Sequence, residues 1–190
     1  MWMKPGGRGR PFTANEHFEI ERVAFSWRAR FPVFGRIALE VLDAYDEGQG
    51  LLELRALGLR LSRQSGPELA VGESQRYLVE LPWVPHAIAR NAEIQWLEVE
   101  DGKVEVSAEV VGRRAAVVLT FDPGGDIVQA SALRGRQVGK TWFETPWGGA
   151  FSEYQVVGGI RLPAAAEVYW EIDSERFVYW RGRILSVNAR

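Results

Sequence analysis

A chain of 190 residues with 46% hydrophobic and 25% charged side chains is long enough to bury a core, and one globular domain is the default. With 23 basic against 25 acidic residues the formal charge is -2, so the electrostatics give no reason to expect nucleic acid or an anionic membrane as partner. The absence of cysteine removes disulfides, thiolate nucleophiles and thiolate-bound metals, and two histidines are too few for an imidazole site, so no metal and no cofactor is expected.

Segment 1–15 is rich in Gly and Arg and lacks the apolar core of about 7–15 residues that a secretory signal needs. It is expected to be poorly structured, the chain to be cytoplasmic, and residues 16–190 to form a single β-rich domain. No run approaches the roughly 18 apolar residues of a membrane span, so stable membrane insertion is not expected. Phe18 and Ile20, then after a phase change Val23, Phe25, Trp27, Ala29 and Phe31, alternate as one long strand with a bulge near Glu21 and Arg22. Ile37, Leu39 and Val41 make a second strand. Leu52 and Leu54, followed by Leu57, Leu59 and Leu61, make a third with its own phase change around Ala56. The period then switches: Pro67 suits the first helical position, and Leu69, Tyr77, Leu78 and Leu81 fall on one helical face. Pro82 stops the run, and a second helical turn starts at Pro85 and carries His86 to Arg90. A helical insertion near 67–90 therefore interrupts the strands.

Beyond the insertion, turn dipeptides predict strand register. Asp101-Gly102 closes a hairpin that pairs Val99 with Val104 and Leu97 with Val106. Gly112-Arg113 makes a second turn, setting Val110, Ala108, Val106 and Val104 against Ala115, Val117, Leu119 and Phe121. The loop Asp122 to Asp126 brings Phe121 to face Ile127, and the same face runs on through Gln129, Ser131 and Leu133. A one-residue slip would turn each set outward. A four-stranded meander thus spans about Ile94 to Arg136. In the last hairpin a three-residue loop, Asp173 to Glu175, places Val168 and Trp170 with Val178, Trp180 and Ile184. The other face then carries Glu167, Tyr169, Glu171, Tyr179, Arg181 and Arg183, with Glu167 opposite Arg181 as a cross-strand ion pair.

About ten sequential antiparallel strands with one helical insertion fit a mainly β fold: a large curved sheet or half-barrel, the helix covering one face. The second face of the meander carries Trp96, Ser107, Ala116, Val118, Val128, Ala130 and Ala132. These mostly small residues either fit a tightly packed helix or leave an apolar pocket beneath it.

The segments Phe12-Thr-Ala-Asn-Glu-His-Phe18, Phe25-Ser-Trp-Arg-Ala29, Arg76-Tyr-Leu-Val-Glu-Leu-Pro-Trp-Val-Pro85, Thr145-Pro-Trp-Gly-Gly-Ala-Phe-Ser-Glu-Tyr154 and Tyr179-Trp-Arg-Gly182 resemble the ordered motifs of an uncharacterised bacterial family, a domain of unknown function. The resemblance runs from about Pro11 and carries no functional residues across. The sheet-plus-helix plan also resembles the LolA/LolB-like half-barrels that carry lipoproteins, a likeness of architecture alone.

Candidate site residues follow from charge placement. Arg76 and Glu80 stand four apart on a helix, where they pair with each other or with charges on the sheet; alternatively they close a cavity with Glu80 desolvated beside Trp83 as a general base. Arg134 and Arg136, with Arg181 and Arg183, could converge with Glu167 and Glu153 at a polar rim near Tyr154, Tyr169 and Tyr179, where guanidinium forks bind an acidic group. The excess of 20 arginines over three lysines is otherwise a matter of codon usage. No Ser-His-Asp spacing, calcium loop or P-loop is present. The expectation is a non-catalytic binding protein for a small hydrophobic or amphipathic, lipid-like ligand, held by Arg76, Glu80, Trp83, Trp96, Arg134, Arg136, Tyr154, Glu167, Tyr179 and Arg181. The alternatives are an enzyme using Glu80 or Glu167 as base, and a protein-interaction module with an exposed patch of Trp142, Phe143 and Trp147.

Overall fold

Tight turns in the left-handed backbone region decide where the strands of this chain divide. In the computed structural model residues 1, 9–33 and 36–188 are described, the side chains of 33 and 36–38 excepted. Five strands come first: β1 (Thr13–Phe18), β2 (Phe25–Val33), β3 (Arg36–Asp46), β4 (Gln49–Ala56) and β5 (Leu59–Ser65). Helix α1 (Pro67–Val79), a 3-10 turn at Leu81–Trp83 and helix α2 (Pro85–Arg90) follow, as the prolines predict. Seven strands complete the chain: β6 (Gln95–Glu100), β7 (Lys103–Val110), β8 (Arg113–Phe121), β9 (Ile127–Val138), β10 (Thr141–Val157), β11 (Ile160–Ile172) and β12 (Glu175–Arg183). The fold is mainly β and antiparallel throughout. Its strands form two open meanders, a five-stranded sheet β1 to β5 and a seven-stranded sheet β6 to β12.

Two expected single strands are hairpins. Phe18 pairs with Phe25, so the phase change at Glu21 and Arg22 is the loop between β1 and β2 and not a bulge. The phase change around Ala56 is likewise the β4–β5 turn, with Leu57 and Gly58 both at positive φ. A bulge and a hairpin interrupt alternation in the same way, which is why sequence period alone merges them. β1 also begins at Thr13, inside the segment expected to lack structure.

Register is kept at some turns and shifted at others. Glu100 pairs with Lys103 across Asp101-Gly102 as predicted, but a bulge at Val99 sets Trp96 opposite Val106 and leaves Leu97 and Val99 exposed. The next turn is Val111-Gly112, both at positive φ, so Ala108 faces Ala115 and Val106 faces Val117. This displaces the predicted pairs by two residues, and an even shift preserves the buried face. Phe121 does face Ile127, yet an irregularity just beyond it brings Leu119 opposite Ala130. Ala130 is therefore buried, whereas Gln129, Ser131 and Leu133 point to the other side. In the last hairpin the turn is two residues, Asp173 and Ser174, and a bulge at Tyr179 makes up the difference. Glu167 consequently meets Arg181, 3.1 Å from Nε, as the sequence predicts, while Tyr179 turns inward.

Helix α1 lies between the two sheets, packing against β3, β4 and β5 on one side and β7, β8 and β9 on the other. At Gly50 the helix backbone comes so close that a β-carbon would stand 2.8 Å from the Ala70 nitrogen. On the opposite side the Gln75 amide donates to the Leu133 carbonyl at 2.8 Å and to that of Ala116 at 3.3 Å, bridging β9 and β8 where their ladder ends. The core fills around this helix with Trp27, Phe31, Leu78, Leu81, Val106, Leu119, Trp147 and Leu162. Among the described residues no helix is long and apolar enough to cross a membrane.

Candidate functional site

Three charged residues share one face of the first helix and its cap: Glu73, Arg76 and Glu80, spaced three and four apart. Arg76 reaches the five-stranded sheet. There Glu16, Trp27 and Asp43 are directly cross-strand from one another on β1, β2 and β3. The Arg76 guanidinium lies 4.9 Å from the Trp27 ring centroid and 5.0 Å from that of Phe25. It donates from Nη2 to Glu16 at 3.0 Å, from Nε to Glu80 at 2.9 Å, and from Nη1 to Asp43. Glu73 reaches the other sheet, accepting a hydrogen bond from Arg134 Nη2 at 3.0 Å. Arg134 lies 4.4 Å over Trp147, whose indole N–H donates to the Tyr179 hydroxyl at 2.9 Å. The helix is thus tied to both sheets by a guanidinium that covers a tryptophan.

This cluster holds four carboxyl groups to two guanidiniums, mostly out of water. Burial, the nearby Glu80 and the Asp43 charge raise Glu16 well above the ordinary carboxylate range, with Arg76 opposing them. Burial and the adjoining Asp43 do the same to Glu73 against the pull of Arg134. Burial works against the charge on Arg76, but its three carboxylates outweigh it and keep the guanidinium protonated. The Asp43 Oδ1, Glu73 Oε2 and Glu80 Oε2 atoms are buried without a donor. A raised carboxyl at Glu16 and at Glu73 favours the protonated, uncharged form of each, which lowers the cost of burying them beside other acids.

The sequence-predicted residues divide. Arg76, Glu80, Arg134 and Tyr179 belong to this interior network. Trp83 is packing: its ring meets Phe151 and Trp180, and its indole N–H donates to the Pro163 carbonyl at 2.9 Å. Tyr154 donates to the Ile127 carbonyl beneath Arg161, and burial raises its hydroxyl to about 12. Glu167 and Arg181 form their pair on the outer surface, and Arg183 pairs with Glu153 at 2.8 Å. The expected rim of four arginines does not assemble, because Arg134 faces inward while Arg181 and Arg183 face out. Arg136 is near Thr145, and Trp96 is exposed on the edge strand β6. Trp96, Val118 and Ala130 share no cavity, since Ala130 is turned toward the helix and Val118 away from it. Of the exposed aromatic patch, Trp142 and Phe143 are exposed and Trp147 is buried. Glu16, Asp43 and Glu73 escaped sequence reasoning, although each carried a signal. Asp43 alternates with Val41 and Tyr45, Glu16 shares a strand face with Phe18, and Glu73 lies four residues from both Leu69 and Tyr77.

None of the ten lines either of two surface hollows among the described residues. One, of about 670 Å³, is bordered by Arg22, Tyr45, Glu47, Glu93 and Glu109 at the turn end of the sheets. The other is a groove of about 320 Å³ on the outer face of the seven-stranded sheet, with Val118, Leu133 and Pro146 as apolar floor. Gln129, Ser131, Tyr169 and Glu171 supply polar groups. Tyr169 lies across Gly148 to accept a hydrogen bond from the Gln129 amide at 3.0 Å, and Arg176 covers its ring at 3.8 Å. A β-carbon at Gly148 would stand 2.5 Å from the Ala130 carbonyl oxygen and 2.9 Å from the Tyr169 hydroxyl. Gly148→Ala is therefore expected to cost about 1–3 kcal/mol by overpacking, read from urea unfolding, with Tyr169 displaced from the groove wall.

Among the described residues no group of three or more His, Asp or Glu is arranged to hold a metal ion. Neither a curated protein nor a solved structure matches the chain. A family model does match over residues 1–182, consistent with the expectation of an uncharacterised family: the chain belongs to a family of unknown function, DUF6544.

Proposed function

We propose that this chain is a non-catalytic binding protein for a small amphipathic ligand seated in the outer groove of the seven-stranded sheet. The observation that carries the reading is the groove itself. Its volume is at the small end of the roughly 300–1,000 Å³ of ligand clefts, and it joins an apolar floor to hydroxyl, amide and carboxylate groups on one wall. This replaces the site first expected between helix and sheet, where the charged network and Ala130 fill the space. The polar wall carries Glu171 and no unpaired cation, since Arg176 is drawn to Glu171 and the Tyr169 ring. A neutral hydroxylated or amine-bearing head group suits it better than an acidic one. Binding is favoured over catalysis because Glu80 is held by Arg76 and Glu167 by Arg181, and neither opens onto a hollow. The reading includes neither nucleic acid nor stable insertion into a membrane.

The test uses N-phenyl-1-naphthylamine, a neutral apolar fluorophore, with native mass spectrometry of the chain purified from its own host. Saturable fluorescence is expected, together with a co-purifying mass of lipid-like size. Leu133→Arg, at an exposed position on the floor, should weaken probe binding at least about tenfold, or ~1.4 kcal/mol, without changing the melting temperature. Binding that Leu133→Arg leaves intact would place the ligand elsewhere and overturn the reading.

A further inference from the structure

The two sheets end differently on their two sides. At one side Phe12, just ahead of β1, packs at 6.1 Å from Trp180 on β12, and β1 and β12 each keep partly buried residues. β5 and β6, the edge strands that precede and follow the helical insertion in the chain, are exposed at every residue. These bare edges are not polar. On β5 and its turn Leu57, Leu59 and Leu61 are 80%, 73% and 61% exposed; on β6 Trp96, Leu97 and Val99 are 40%, 57% and 48% exposed. Exposed apolar edge strands with unpaired backbone groups are templates for pairing with another strand.

Their charges select the partner. β5 carries Arg60 and Arg63, whereas β6 carries Glu98 and Glu100, the latter paired with Lys103, and is followed by Asp101. Pairing β5 with β5 of a second copy sets arginine against arginine, and pairing β6 with β6 sets glutamate against glutamate; like charges directly opposite are destabilising. Cross-pairing of β5 with β6 brings opposite charges together and covers leucines with Trp96, Leu97 and Val99. The two segments also match in length, at seven and six residues.

We infer that the occupant of these edges is a second copy of this chain, with β5 of each copy added to β6 of the other. A two-fold arrangement makes the two β5–β6 contacts equivalent, and a dimer of this kind uses both edges of each copy. The surface is separate from the ligand groove, so it stands or falls independently of the binding role.

Sedimentation velocity over a concentration series tests this with the full chain. The wild type is expected to give twice the 21.4 kDa chain mass, with dissociation promoted by salt. Arg63→Glu alone and Glu98→Arg alone are each expected to be monomeric, with melting curves unchanged because both sites are exposed. Mixing the two variants restores complementary charge at both contacts and is expected to restore the dimer. Should either variant melt early, Leu59→Lys provides a second break of the same edge. A wild-type mass of 21.4 kDa at every concentration overturns the inference, and so does a dimer indifferent to these reversals, or a mixture that stays monomeric.

Discussion

Arg76→Met is expected to lower folding stability by about 3–5 kcal/mol at neutral pH, the cost of leaving buried carboxylates without their cation. Arg76 pairs with Glu16, Asp43 and Glu80 together, and its planar group covers Trp27 and Phe25 while donating in three directions. Methionine keeps the stacking bulk and removes the charge, so the loss reports electrostatics more than packing. Arg76→Lys should recover little, since an ammonium is a point charge without the guanidinium fork. The loss should shrink as pH falls toward 5, because the abandoned carboxyl groups are then neutralised by protons. Urea unfolding at two pH values checks it. A loss below about 1 kcal/mol, or one that does not change with pH, would mean the network carries no net charge coupling.

The wild-type chain should itself lose stability as pH rises above the ordinary carboxylate value of 4.5. Glu16 and Glu73 hold their protons more tightly folded than unfolded. Above 4.5 the unfolded chain releases those protons while the native chain keeps them, so unfolding becomes easier by about 1.4 kcal/mol per pH unit for each proton. The fall stops once pH passes the raised native values. Glu53 and Glu153, lowered by hydrogen bonds from Arg55 and Arg183, oppose this only below 4.5, and the stability maximum should therefore lie on the acid side of neutrality. Glu73→Gln keeps an acceptor for Arg134 and has no proton to lose. It should match the wild type near pH 5 and exceed it near pH 8. Stability that is level or rising between those values would show that Glu16 and Glu73 are not raised in the folded chain.

The fold was legible to the extent that it depends on neighbours in sequence. Proline at 67, 82 and 85 bounded the helical insertion because proline acts on its own backbone. Asp101-Gly102 and the loop after Phe121 closed hairpins where expected, and Glu167 met Arg181. The interior site was barely legible. Arg76 and Glu80 could be paired from their helical spacing, but the partners that define the network come from β1, β3 and β9. The bulges at Val99 and Tyr179 and the irregularity beyond Phe121 were equally out of reach, because a bulge is chosen by how a strand packs on both faces and leaves no fixed residue signature.

What this sequence determined by itself is the antiparallel, mainly β plan, the position of the helical insertion, and a strand alternation that tolerates register shifts of two but not of one. The tertiary structure alone decided the rest: the division into two sheets, the parity change that sent Val118 and Ala130 to opposite faces, and the meeting of four carboxyl groups with two arginines. The physical reason is range. Turn and capping preferences act over a few residues, whereas the raised carboxyls of Glu16 and Glu73 depend on groups up to 64 residues away in sequence, Asp43, Arg76 and Glu80 about Glu16 and Asp43 and Arg134 about Glu73, which become neighbours only when both sheets close on the helix.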